Sequence, residues 1–337
     1  MYEGKYRIGI IGDGAFLNTA IDSWLASGRV GSLAICDKSG YKPEQHINGF
    51  DYYDDEFEML AVTGLDALEF ASSDGIERSV FESSIKIGLP LAVSGTLAEN
   101  YAATLNMTAA IGAMRTPFMY MNALNEHPFI DRAVKEMKRE SIGELQMLRV
   151  KSNAGHLTDR RHAEDNGNPL LRREFDRTSL IEKLFGPVTE VFCLAGQNAW
   201  LVSYRFVAPG RYGFLEAVLS PDLRFNSDGP SIDDSIEITG TDGIIWLRNL
   251  NGLLTEAPRF AMKRRDETLI LDDRIEYSLE SRELDLRLRF IESIEKKGAA
   301  PFDAAPVLRA ARLAEAARLS VLESRPVRPD EISPYQK

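Results

Sequence analysis

The sequence predicts an α/β protein, with a doubly wound parallel sheet in its N-terminal part and a second α/β domain built on an open, mostly antiparallel sheet. Three observations carry that expectation. The stretch Tyr6–Leu17 opens as a β-branched strand (Ile8, Ile10, Ile11), breaks at Gly12-Asp13-Gly14, and resumes as an amphipathic helix with Leu17, Ile21, Trp24 and Leu25 at helical spacing. Up to about Glu140, strand-like runs alternate with helical ones, the pattern of a parallel sheet wound on both faces. From Glu144 to about Leu271 strand-like runs dominate, and two helices close the chain. The expected division is residues 1–122 and 123–337.

The first turn suggests a ligand. A buried strand, a glycine turn and a helix form the first half of a dinucleotide-binding Rossmann unit. Gly12 is expected to permit the tight turn. Gly14, without a Cβ, lets the backbone approach a pyrophosphate seated on the helix N-terminus, where Ala15 and Phe16 follow. The third position of the G-x-G-x-x-G pattern is Leu17, and Asp13 sets a carboxylate near where phosphate would lie. A second strand, Ser32–Asp37, ends in an acid at about the 20-residue separation expected of a ribose-binding carboxylate. Asp37 either binds ribose or only caps a strand end. In the first case it favours NAD over NADP, with Lys38 and Lys42 close enough in sequence to soften that preference. Ser72 and Ser94, at the ends of later strands, complete the candidate cofactor set.

The remaining elements follow in order. Lys38–Asp55 reads as a polar, turn-rich segment and Glu56–Ala61 as a short helix. Strands are expected at Leu65–Ala71, Leu89–Val93 and Pro117–Met121. Helices are expected at Ile76–Ile87, stopped by Gly88, at Glu99–Ile111, and at Pro128–Glu140 with proline in its first turn. In the second domain the strand-like runs are Leu145–Ser152, Val188–Leu194, Trp200–Val207, Tyr212–Ser220, Ile232–Thr239 and Gly243–Leu247. A helix over Asp176–Phe185 interrupts them, and Leu279–Lys296 and Val307–Leu322 are the closing helices.

Composition excludes several classes. At 337 residues with 44% apolar and 27% charged side chains, the chain holds enough apolar matter for two cores and is not disordered. A net charge of −11 argues against a nucleic-acid partner. No apolar run reaches membrane-spanning length. The first strand begins within a few residues of Met1, which would leave no room for a signal peptide. Cys36 and Cys193 are isolated and read as core thiols of a cytoplasmic protein. No pair of histidines has metal-ligand spacing, so no metal site is expected. Apolar runs such as Tyr212–Leu219 would leave one sheet face uncovered by a single helical layer, which predicts a homodimer or homotetramer.

Four anchors in register resemble the glucose–fructose oxidoreductase / inositol dehydrogenase (Gfo/Idh/MocA) family. They are the Ile8–Gly14 turn, the Leu65–Asp74 strand end, Gly88–Ala98, and the C-terminal Gly298-Ala299-Ala300-Pro301 with Arg318, Ser320 and Arg325-Pro326-Val327. Glu126-His127-Pro128 followed by Ser141–Leu145 resembles that family's path into its second domain. The resemblance implies hydride transfer between NAD(P) and a carbon of a sugar or polyol. It also implies a Glu-Lys-Pro lysine and a second-domain histidine that handle the hydroxyl proton. This sequence departs at both places. Ser94-Gly95-Thr96 stands where Glu-Lys-Pro is expected, so the lysine position is Gly95. The histidine position falls on Asp176, with Arg172 at the preceding aspartate.

Oxidising an alcohol needs a group to take its proton, and the reverse needs an acid. Asp176 is a candidate base, or else an acid that begins a helix. Among the histidines, His156 at the end of a strand-like run is the first replacement candidate and His127 the second. Each has an ordinary hydrogen-bonded reading beside the catalytic one. His46 and His162 lie in polar or irregular segments. Thr158–Arg177 carries as many acids as arginines and reads first as an internally paired loop, with Arg172 or Arg173 holding an acidic substrate as the sharper alternative. The expected function is an NAD(P)-dependent oxidoreductase acting on a sugar, polyol or related small molecule, with non-standard acid/base groups. The alternative is a relative that keeps nucleotide binding and has lost catalysis, serving as a sensor, regulator or assembly subunit.

Overall fold

The computed structural model describes residues 5–38, 49–61, 64–72, 75–155, 174–220, 232–248, 260–271, 279–296 and 302–333. The chain divides into two compact units, Met1–Ala123 with Glu280–Leu308, and Leu124–Leu279 with Arg309–Lys337.

The first unit is a six-stranded parallel sheet in the order β3-β2-β1-β4-β5-β6. Its strands are β1 (Tyr6–Gly12), β2 (Val30–Asp37), β3 (Phe50–Tyr53), β4 (Ala67–Ser72), β5 (Leu91–Gly95) and β6 (Phe118–Met121). Helices α1 (Gly14–Ala26), α2 (Glu56–Leu60), α3 (Arg78–Lys86) and α4 (Tyr101–Gly112) connect them. The order reverses between β1 and β4, which makes that point the topological switch of the sheet. Ile8, Ile10, Leu33, Ile35 and Phe70 are buried to within 1% exposure, as strands covered on both faces require. Local chemistry sets the helix starts. The Asp55 carboxylate accepts the Glu58 N–H at 2.8 Å, and the Asn100 side chain accepts the Ala103 N–H at 2.9 Å.

β3 corrects the expectation of a turn-rich segment through Asp55. It is a four-residue edge strand paired with Leu33–Cys36, with side chains only half-buried, so its Asp-Tyr-Tyr composition hid it. β4 begins at Ala67; ahead of it the Asp66 N–H bonds to the Arg7 carbonyl and its carboxylate accepts the Arg7 N–H, tying the strand's entry to β1.

The second unit carries an eight-stranded mixed sheet, β14-β13-β12-β11-β7-β10-β9-β8. Its strands are β7 (Leu145–Gly155), β8 (Val188–Ala195), β9 (Ala199–Phe206), β10 (Tyr212–Ser220), β11 (Ile232–Gly240), β12 (Gly243–Arg248), β13 (Phe260–Arg264) and β14 (Glu267–Leu271). Only β7 and β10 run parallel; the other neighbours are antiparallel. The β13–β14 hairpin was not expected. Its turn is Arg265-Asp266, with Arg265 left-handed at φ 51°, and it lacks the glycine that marks such turns. Two of its helices are α5 (Pro128–Lys138) and α6 (Phe175–Phe185), and most of α8 (Ala305–Glu323) belongs here; α7 (Leu279–Glu295) belongs to the first unit. Alternation along β9 buries Val202, Tyr204 and Phe206 on one face and turns Leu201, Ser203 and Arg205 to the other.

That other face is mixed rather than continuously apolar. Leu194 and Leu201, opposite each other on β8 and β9, are 57% and 43% exposed. Farther along the sheet Arg149 of β7 pairs with Glu237 of β11 at 3.1 Å, and the Trp246 indole of β12 donates to Glu237. The C-terminal residues of the family-like pattern have packing roles. The Ser320 hydroxyl accepts the Cys193 N–H and donates to the Arg325 carbonyl, and Val327 bridges to Val191 in β8. Among the described residues, no helix is long and apolar enough to cross a membrane.

Candidate active site

The strand ends of the first unit converge at the switch point. Gly12 pairs with Asp37 of β2 on one side and Ala71 of β4 on the other. A Cβ on Gly12 would collide with the Ala71 carbonyl, so this glycine serves strand packing, a different reason from the tight turn expected of it. Gly14 has a different need. Its φ is +48°, in the left-handed region, and nothing lies within 4 Å of where its Cβ would project. The space ahead of the α1 N-terminus is therefore open at that residue, with the backbones of Ala15 and Phe16 in the same first turn. Asp13 does not reach into that space as expected from sequence. Its side chain is 6% exposed and its carboxylate accepts the Ser72 hydroxyl at the end of β4.

Asp37 stands half-buried at the end of β2, and the Lys38 N–H closes onto the Gly12 carbonyl at 2.8 Å. The Lys38 ammonium lies 4.0 Å from the Glu56 carboxylate. Lys38 and Glu56 line a small cleft with Ile11, Phe70, Ser72 and Val80. Lys38 and Glu56 come from the side of the switch point where Asp37 sits, and Phe70, Ser72 and Val80 from β4 and α3 across it. They fit the adenosine half of a dinucleotide: an open helix N-terminus, a carboxylate at the neighbouring strand end, and a partly apolar cleft between.

The other side of the switch point is formed by β4, β5 and β6. Ser94 is buried there, its hydroxyl donating to Glu69 Oε1 at 2.7 Å. Gly95 follows at φ +97°, and a Cβ there would collide with the Ser72 carbonyl and stand 3.2 Å from the Phe16 ring. The Tyr120 hydroxyl donates to the Gly95 carbonyl at 2.5 Å. Phe16, Ser72, Gly95 and Tyr120 thus meet at one end of the sheet. Sequence reasoning named the first two as cofactor contacts and Gly95 as the lysine position, and missed Tyr120. An aromatic hydroxyl in the strand next to a vacated catalytic position was the available signal.

The second-domain candidates are placed as follows. His127 is fully buried as the residue that starts α5, with Nδ1 accepting the Phe129 N–H at 3.2 Å and the ring tilted against Phe129. Asp176 is half-buried in the first turn of α6, and its carbonyl accepts the Ser179 hydroxyl. His156, Arg172 and Arg173 lie outside the described residues, as do His46 and His162. Next to Asp176 lies a buried network: Glu174 and Arg177 belong to the stretch read from sequence as internally paired, and Asp234 and Ser152 join them from the sheet. Arg177 lies 3.3 Å from Glu174 and 3.8 Å from Asp234, and the Ser152 hydroxyl donates to Glu174. Burial works against the Arg177 charge; Glu174, Asp234 and Asp176 more than offset it, so its pKa lies above the ordinary guanidinium value. Among the described residues, no group of three metal-ligating side chains occurs.

No model of a protein family matches the sequence, and no curated protein sequence does. Solved structures do match it over nearly its whole length. An oxidoreductase from Agrobacterium radiobacter, solved with NAD+, L-tartaric acid and magnesium, is 16% identical with a TM-score of 0.70, covering 97% of this chain and 99% of that one. A myo-inositol 2-dehydrogenase from Lactobacillus plantarum is 14% identical with a TM-score of 0.74, covering 96% and 99%. A levoglucosan dehydrogenase, solved with NADH and L-sorbose, is 15% identical with a TM-score of 0.73, covering 96% and 98%. The class the fold defines is therefore a two-part α/β protein with an N-terminal Rossmann unit. The particular fold is the one these solved oxidoreductases have.

Proposed function

We propose that this chain is an NAD-dependent oxidoreductase acting on a sugar, polyol or related small carbonyl compound, with acid/base groups other than the usual lysine and histidine. The observation that carries the reading is Gly14: a left-handed glycine at a helix N-terminus with open space where its Cβ would be. Such a position admits a pyrophosphate to the backbone N–H groups of Ala15 and Phe16, and its positive φ disfavours residues other than glycine. Asp37 accepts the hydroxyls of the adjoining ribose and repels a 2′-phosphate, so NAD is preferred to NADP. The bound nicotinamide supplies or receives the hydride. The neighbours solved with tartaric acid and sorbose support a small polyhydroxylated substrate.

Asp176, in the first turn of α6 beside Arg177, is proposed as a base in the second unit. His156 and His127 remain proposed alternatives, and Arg172 and Arg173 are proposed to hold an acidic group of the substrate. The uncovered sheet face with Leu194 and Leu201 supports pairing of subunits into a dimer or tetramer. The free, buried Cys36 and Cys193 support a reducing, cytoplasmic setting.

A second reading is favoured by Gly95. Where the resemblance calls for a catalytic lysine, the backbone leaves no room for any side chain, as in a protein that binds the nucleotide without turning it over. Calorimetric titration with NADH, run beside an absorbance screen of sugars, polyols and their keto forms, separates the two. Binding with turnover supports the oxidoreductase, binding without turnover across the screen supports the second reading, and absence of binding removes both.

A further inference from the structure

We infer that Tyr120 is the proton donor to the substrate oxygen, in place of the lysine that Gly95 cannot carry. This rests on the oxidoreductase reading above. β4, β5 and β6 form the half of the doubly wound sheet opposite the one that ends in Asp37. With the adenosine half at Asp37, the nicotinamide half of a dinucleotide falls at the ends of β4, β5 and β6. Tyr120 is in β6, in register with Val93 of β5, and is only half-buried. Its ring reaches along the sheet so that the hydroxyl touches the Gly95 carbonyl at 2.5 Å. A proton-handling hydroxyl therefore stands at the residue where a proton-handling ammonium is missing. The collision of any Cβ at Gly95 with the Ser72 carbonyl explains why the group has to come from the neighbouring strand.

Of the neighbouring elements, the turn after β1 supplies Asp13, held on Ser72, and β4 supplies Glu69, held on Ser94 and paired with the Arg287 guanidinium. A phenol carries its proton at neutral pH and can donate it, which suits the reductive direction. In that step the carbonyl carbon receives a hydride, with its electron pair, from the reduced nicotinamide. The π electrons of the C=O bond move to oxygen, which takes the Tyr120 proton, and the phenolate recovers a proton from water.

The test needs no substrate. The oxidised nicotinamide ring is cationic and the reduced ring is neutral. A phenol near that ring ionises at lower pH in the NAD+ complex than in the NADH complex, by about one pH unit or more for a full charge a few ångströms away. Ring-labelled tyrosine followed by NMR through an alkaline titration reads this directly among the 11 tyrosines. Expected is one tyrosine whose ionisation moves down in the NAD+ complex, with that signal lost in Tyr120→Phe. Tyr120→His, which keeps a hydrogen-bond donor, makes the same assignment if the phenylalanine variant misfolds. Equal titrations in the two complexes, or a moving signal that persists in both variants, overturn the role of Tyr120 and leave the cofactor reading standing. A protein that binds neither NAD+ nor NADH overturns the cofactor reading, and this role with it.

Discussion

Glu69 in β4 and Arg287 in α7 form a two-pronged ion pair with no solvent exposure on either side chain, Nη2 to Oε1 at 2.6 Å and Nε to Oε2 at 3.1 Å. The Trp24 indole donates to the same carboxylate at 2.6 Å, and Glu283 takes the remaining guanidinium edge at 2.7 Å. A buried charge costs several kcal/mol unless it is paired and hydrogen-bonded, and here each oxygen of Glu69 accepts two such bonds.

That pairing yields the first prediction. Arg287→Ala strands Glu69 in the core, and the loss should be about 3–5 kcal/mol in urea unfolding. Replacing both charges with apolar groups, as in Glu69→Leu with Arg287→Met, should cost less than the single change. A single variant within about 1 kcal/mol of the parent would mean that water enters and solvates the carboxylate.

The pair also shows where sequence reasoning stops. The turn at Gly12–Gly14 and the β-branched run before it are local signals, and the sheet they imply is present. Glu69 was passed over inside Ala67–Ser72, although a carboxylate in a strand buried on both faces demands a partner. That partner lies more than two hundred residues away in sequence, and nothing local announces it. Glu174 and Arg177 were legible as members of an internally paired stretch, but Asp234 reads as a surface charge until β7, β11 and α6 are folded together. Gly95 was legible as a lost lysine, but its carbonyl contact with Tyr120 depends on strand register.

The second prediction concerns Gly14. Gly14→Val places a β-branched side chain in the left-handed region and fills the open space ahead of α1. NADH affinity should fall at least about a hundredfold, with some loss of stability from the backbone strain of about 1–3 kcal/mol. Gly14→Ala separates the effects, since it adds less bulk at the same strain. Wild-type affinity in both variants would place the nucleotide elsewhere.

The third concerns cofactor choice. Lys38 is shared with Glu56, so it is a poor counter-ion for a 2′-phosphate beside Asp37. NAD(H) should bind more tightly than NADP(H). Glu56→Gln should narrow the gap by freeing Lys38, and Asp37→Ser should narrow it further by removing the repelling charge. Side-by-side titrations of the three proteins give the order; a preference for NADP(H) in the parent would refute the assignment of Asp37.

The last prediction concerns the thiols. Burial, with lesser contributions from Glu56 and Asp55, pushes the Cys36 thiol up to about 12, and burial alone pushes Cys193 up to about 11. The thiolate is the reactive form, and near neutral pH each is protonated in the folded protein far more completely than an ordinary cysteine. A group with a raised folded pKa keeps its full contribution to stability below the unfolded value of about 8.5 and loses it as pH rises through 11–12. Thiol reagents should therefore label neither cysteine at neutral pH on the time scale that labels the urea-unfolded chain, and stability should decline above about pH 8.5. Cys36→Ser should lower stability while reducing the alkaline decline, because a hydroxyl does not ionise in that range. Cys36 lies in β2 opposite Ile11, one residue before Asp37, so NADH should slow labelling further by suppressing opening of that strand. Fast labelling of the folded protein that NADH does not slow would show that β2 opens independently of the nucleotide site.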